Sequence, residues 1–218
     1  MRATSKLLAL ALTAVLQPAV AGVVPLTFED ITLADDADGY VELKSRYIND
    51  GIVFSGAAWG QVSLVAPCGG ISKFVTHDGG CVALALNGGS SFALNFASGF
   101  IAGTSLYYSA LEGAGVKIRL YEGENATGNS TLVEGLTEAN CTVVRGARFC
   151  NWDLLTLSFS GIARSLVVTA VDQSLMLDDF SFVQASPTVP GGLPEPASLV
   201  LAFSALGALG WARKRAAR

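Results

Sequence analysis

Strict alternation of apolar and polar residues is what most constrains the fold of this chain. Val116, Ile118 and Leu120 alternate with Lys117, Arg119 and Tyr121; Phe92, Leu94 and Phe96 alternate with Ala93 and Asn95; Leu155, Leu157 and Phe159 alternate with Thr156 and Ser158. A period of two puts successive side chains on opposite faces, so each run reads as a strand with one buried face and one wet face. Further candidate strands are Val24 to Phe28, Tyr40 to Leu43, Ile52 to Phe54, Gln61 to Val65, Cys81 to Leu86, Ser105 to Ser109, Ser165 to Val171 and Leu175 to Val183. Turn-forming stretches such as Asn87-Gly88-Gly89-Ser90 and Glu122-Gly123-Glu124-Asn125 separate them. No long helical period interrupts this series away from the chain ends. About ten short strands joined by glycine-rich turns predict an all-β domain, an antiparallel β-sandwich.

The two ends read differently. Arg2 and Lys6 precede an apolar run from Leu7 to Leu16, followed by Gln17-Pro18 and Ala19-Val20-Ala21. A charged start, a short apolar core and an A-x-A site make residues 1–21 a secretory signal peptide cleaved after Ala21, with a retained anchor as the competing reading. Residues 22–185 then form the sandwich domain, and Ser186 to Leu193 a Pro/Gly linker. The last stretch, 194–218, runs Pro194-Glu195-Pro196-Ala197-Ser198, then an apolar segment from Leu199 to Ala212 broken only by Ser204, then Arg213-Lys214-Arg215 and Arg218. From Ala197 to Ala212 a helix would be about 24 Å long, short of the ~20 residues that usually span a bilayer core. Pro196 suits the first turn of that helix, and the basic end favours a cytoplasmic C-terminus. The competing reading, an amphipathic helix packed on the domain, sits badly with a segment that has almost no polar face.

A Pro-Glu-Pro motif, a hydrophobic helix and a basic C-terminus, in that order, resemble a PEP-CTERM sorting signal. The resemblance implies an exported protein of a Gram-negative bacterium, recognised at Pro194, Glu195 and Pro196 by an exosortase in the inner membrane. It further implies release or attachment at the cell surface, in association with exopolysaccharide or biofilm matrix.

Net charge narrows the partners. The whole chain has 14 Lys and Arg against 18 Asp and Glu, but six of the basic residues lie in the terminal signals. The domain keeps 8 basic residues against 17 acidic ones, a formal charge of −9. Such a surface repels nucleic acid and suits cations or neutral polymers such as glycans. All four cysteines, Cys68, Cys81, Cys141 and Cys150, fall in the exported domain, where disulfides are the default. Three pairings are possible. The local pairs Cys68 with Cys81 and Cys141 with Cys150 are favoured, because each staples the ends of one loop or hairpin. Zinc competes poorly, since CxxC spacing is missing and His77 is the single histidine.

Acidic residues flank aromatics in both the first strand, Thr27-Phe28-Glu29, and the last, Leu177-Asp178-Asp179-Phe180. This resembles jelly-roll carbohydrate-binding modules, in which the chain ends pair side by side, and makes a jelly roll the expected form of the sandwich. Neighbouring carboxylates at Glu29, Asp178 and Asp179 would repel unless a cation sat between them, and a structural calcium with oxygen ligands is the expected occupant. The resemblance implies the same ion. Alternation puts Asp178 on the side of Met176, Phe180 and Phe182, so its carboxylate is expected to point inward and need a partner. Asp35-Asp36-Ala37-Asp38-Gly39 reads as a solvated turn rather than a calcium loop, because Ala34 and Ser45 would stand at the first and twelfth ligand positions.

Trp59, Tyr107 and Trp152 are the candidate sugar-stacking faces. No GxSxG elbow or HExxH helix is present, and His77 sits in a turn, so the chain reads as a non-enzyme. The expected role is structural or adhesive, in the exopolysaccharide matrix. The alternatives are a carbohydrate-binding module with a defined glycan ligand and, behind it, a small glycan-active hydrolase.

Overall fold

The computed structural model describes residues 22–36, 39–70, 72, 74–133, 136–138 and 147–185, all within the compact unit Ala21–Ser186. The signal peptide, the linker, the Pro-Glu-Pro segment and Cys141 lie outside the described residues. Among the described residues the only helical element is the 3₁₀ turn Ile48–Asp50, and no helix is long and apolar enough to cross a membrane.

Twelve strands make two sheets. They are β1 Val23–Leu26, β2 Tyr40–Glu42, β3 Ile52–Gly56, β4 Ala58–Val62, β5 Val82–Leu86, β6 Ser91–Phe100, β7 Ser105–Ala110, β8 Lys117–Tyr121, β9 Ser130–Val133, β10 Asp153–Thr156, β11 Ala163–Thr169 and β12 Leu175–Val183. One sheet runs β10-β7-β12-β5-β4-β2 with β1 also on β12; the other runs β3-β6-β11-β8-β9. Every strand pairing is antiparallel, and the chain passes repeatedly from one sheet to the other. The domain is an antiparallel β-sandwich. Its first and last strands are neighbours, Val23 opposite Val183 and Leu26 opposite Phe180, as the jelly-roll expectation required.

Inward residues of both sheets meet in one aromatic core. Phe92, Leu94 and Phe96 of β6 face Phe180 and Phe182 of β12, all essentially buried. Phe96 and Phe182 stand 5.2 Å apart at 51°, and Phe28 meets Phe180 edge to face at 5.9 Å. Rings packed edge to face contribute beyond their buried area. The 13-residue span between Cys68 and Cys81 carries their disulfide. Cys150 is also disulfide-bonded.

Two strand expectations shift, and one strand was not among those expected. The Leu155-Leu157-Phe159 run is strand only as Asp153–Thr156; beyond it the Leu157 N–H turns back to the Thr104 carbonyl, while Phe159 packs on Phe100. The strand expected at Gln61 to Val65 is Ala58–Val62, because Ser63 and Leu64 turn to bond the crossing segment at Ser72. The unexpected one is β9, Ser130–Val133, a largely exposed edge strand in which two polar residues precede two apolar ones, so it carries no alternation to read.

The inward placement of Asp178 is corrected. Asp179 takes a left-handed φ of 46°, and the register of β12 slips between Asp178 and Ser181. A bulge of one residue reverses every side chain beyond it. Leu177, Phe180 and Phe182 therefore enter the main core, whereas Met176 belongs to a separate cluster on the outer face. Alternation puts Asp178 with Met176. Two segments cover that outer face. Phe74 and Phe149, joined by a parallel bridge, pack with Ala83, Ala85 and Met176. Asp178 is thus buried by these crossing arms and not by the sandwich core.

Candidate functional site

The bulge in β12 sets two successive carboxylates beside a third. The loop between Val75 and Cys81 closes on the disulfide, and Glu29, just after β1, accepts hydrogen bonds from the N–H groups of Cys81 and Val82 at 3.0–3.1 Å. Gly80 is needed at this seat: a Cβ there would lie 2.4 Å from a Glu29 oxygen. So fixed, the loop brings Asp78 to β12. Asp78, Asp178 and Asp179 each offer an oxygen within 4.8 Å of the others.

Asp178 bears the electrostatic cost. It is 1% exposed; its Oδ1 accepts the Asp179 N–H at 2.9 Å, but its Oδ2 is buried without a hydrogen-bond partner. Burial first, then the charges of Asp179, Asp78 and Glu29, push its pKa up to about 8, against the lowering effect of the Asp179 N–H. Asp179 Oδ2 lies 3.0 Å from His77 Nδ1. The His77 ring stacks on Tyr107 at 3.4 Å and 25°, with Trp152 edge-on at 6.4 Å. Tyr107 stands directly across from Asp178 on β7. An all-carboxylate donor set fits a hard cation, and the orphaned Oδ2 is the atom such an ion would satisfy.

Of the three residues expected at a cation site, the structure brings Asp178 and Asp179 together. Glu29 spends its oxygens on backbone amides, while remaining close enough to raise Asp178. Asp78 was missed. Its signal was position: it precedes by three residues the cysteine just before β5, the strand beside β12. Asp35, in the acidic turn, caps Thr32 through its amide and hydroxyl and takes Arg46 at 3.3 Å, which together hold its carboxyl below the usual range.

The same arms enclose a cavity of about 280 Å³ on the outer face of the seven-stranded sheet. Its floor is Ala85, Leu86, Leu175 and Met176; Ser72, Phe74, Arg148 and Phe149 of the arms wall it; Tyr40, Gln61, Asn87 and Gln173 supply the rest of the lining. Gln61 accepts from the Ser72 hydroxyl at 2.9 Å, and Gln173 donates to Asn87 Oδ1 at 3.0 Å. Tyr107 and Trp152, expected as stacking faces, are engaged with His77, and the Trp152 indole N–H donates to the Val75 carbonyl at 2.7 Å. Trp59 is half-buried on β4 and does not line the cavity. Asp178, despite its raised pKa, is too buried to reach a substrate as a glycosidase acid must.

Fold and site together define a disulfide-stapled β-sandwich with a carboxylate cluster and a roofed cavity on one outer face. No protein-family model matches the chain, and no curated protein sequence does. Among solved structures, the K2 cleaved adhesin domain of Lys-gingipain is 16% identical with a TM-score of 0.47, over 74% of this chain and 99% of that one. The CBM22-1 xylan-binding domain of Paenibacillus barcinonensis Xyn10C is 12% identical with a TM-score of 0.38, over 78% and 100%. A family 61 module solved with β-1,4-galactotriose is 17% identical with a TM-score of 0.34, over 63% and 94%. Likenesses at these levels carry nothing about what this chain binds.

Proposed function

We propose that this chain is an exported cell-envelope protein whose sandwich binds carbohydrate, giving it an adhesive role in an exopolysaccharide or biofilm matrix. The observation that carries the reading is the roofed cavity, where apolar surface meets carboxamides and an arginine. Sugar sites combine these features, an apolar patch for the C–H face of a ring and a few fixed polar groups for its hydroxyls. Calcium at Asp78, Asp178 and Asp179 fastens the arm that supplies Ser72 and Phe74 to the cavity. Export and surface delivery rest on residues 1–21 and on the PEP-CTERM-like residues 194–218, with an exosortase and the inner membrane as the partners they imply.

A glycan array probed with the full chain in calcium tests the binding. Retention on one glycan class, weakened by Gln61→Ala, is the expected result; no retention on any glycan would remove the carbohydrate reading and leave a structural matrix role. The intact mass of protein from medium and membrane tests the delivery. A chain ending near Pro194 is expected, and a full-length C-terminus found only in the membrane would overturn exosortase processing.

A further inference from the structure

We infer that the cavity selects a carboxylate-bearing sugar, a uronic-acid residue of an acidic polysaccharide. This rests on the carbohydrate reading above and adds the charge of the ligand. The domain carries 17 acidic residues against 8 basic ones, yet no carboxylate is among the described residues lining the cavity, and Arg148 is. Asp172, next to Gln173 in the chain, turns to the Gly89 amide at 3.3 Å. On so negative a domain, a lining with a cation and no carboxylate among its described residues offers an anionic ring attraction where an acidic surface would repel it.

Arg148 is presented for that purpose. It is exposed, and its guanidinium carbon lies 5.9 Å from the centroid of the Phe149 ring, a contact that steadies the planar group at the cavity mouth. A guanidinium offers paired donors matched to the two oxygens of a carboxylate, which a sugar hydroxyl cannot use together. Also on the lining, the bond from Gln173 to Asn87 Oδ1 leaves an amide donor on Asn87 and a carbonyl acceptor on Gln173, the complement of two neighbouring hydroxyls. Met176 and Phe149 supply apolar surface for the ring itself. At about 280 Å³ the space lies just below the ~300–1,000 Å³ of common small-molecule sites, which suits a single ring, an end or a side branch, and not an extended polymer.

The test is calorimetric titration of the full chain, in calcium, with tetrasaccharides of glucuronate, galacturonate and mannuronate, each beside its carboxyl-reduced counterpart. At least one acidic member is expected to bind ten-fold or more tightly than its reduced counterpart. Arg148→Gln should abolish that preference without moving the melting temperature, whereas Asn87→Ala should weaken both members of the pair. Equal binding within every pair that binds, or a preference that survives Arg148→Gln, would overturn the charge inference and leave carbohydrate binding standing. No binding to any acidic or reduced member would overturn the charge inference, and would overturn the carbohydrate reading as well only if the glycan array also shows no retention.

Discussion

Asp178 shows how one residue comes to need a ligand. An ordinary carboxylate ionises near ~4; with burial and three acidic neighbours Asp178 holds its proton up to about 8. Without metal, the folded chain therefore keeps a proton that the unfolded chain has lost. The stability tied to this group is fully present below the unfolded pKa of ~4 and is lost as pH rises toward the folded value. In chelator, wild type should lose melting temperature relative to Asp178→Asn between about pH 5 and pH 8; parallel curves would show that Asp178 is not the group responsible. Calcium should reverse the order. Bound to an ion, Asp178 is ionised, so wild type gains melting temperature with calcium by mass action while Asp178→Asn does not. A wild-type melting curve indifferent to calcium and chelator would remove the cation site. The sequence made Asp178 and Asp179 visible as candidates, but it could not show that Asp178 faces the crossing arms, because the φ of one residue, Asp179, decides it.

At the scale of elements, the arms are the part of the fold least visible in sequence and most tied to the site. The segment from Ser63 to Cys81 has no alternation; its shape comes from a disulfide, from Glu29 bonding across 52 positions to Cys81, and from the bridge of Phe74 to Phe149. Cys81→Ser should cost about 3 kcal/mol on the loop-entropy account, and weaken glycan retention because Ser72 and Phe74 lose their fixed place. Denaturant unfolding of wild type and variant measures the first effect; unchanged stability would show that the arm is held by its other contacts alone. Gly70 marks the same close crossing, since a Cβ there would lie 2.2 Å from the Val62 carbonyl oxygen. Gly70→Ala should therefore destabilise by ~1–3 kcal/mol, as overpacking does, read as a lower denaturant midpoint with unchanged slope.

For the molecule as a whole, residues and their spacing determined the all-β class and most strand positions, while the pairing of the first strand with the last was implied by the jelly-roll resemblance. The reason is physical: a strand buried on one face needs a period of two, and Phe92, Leu94 and Phe96 could satisfy no other element so well. Removing one of these rings shows how much the class depends on them. Phe182→Ala should cost ~3–5 kcal/mol, seen in calorimetry as a large fall in melting temperature, because the ring meets both Phe96 and Phe100. The local disulfide of Cys68 with Cys81 was likewise legible, since short spacing makes closure easy. Tertiary structure alone decided which acids meet, which aromatics stay open and where the cavity lies. Asp78 joins Asp178 across 100 residues, Tyr107 and Trp152 close on His77 instead of facing solvent, and Arg148 reaches the pocket from an arm with no strand pattern of its own. Alternation reports only whether a side chain faces the core or away from it. Once a segment folds over the outer face, what that side chain touches depends on contacts between parts of the chain that no local pattern connects.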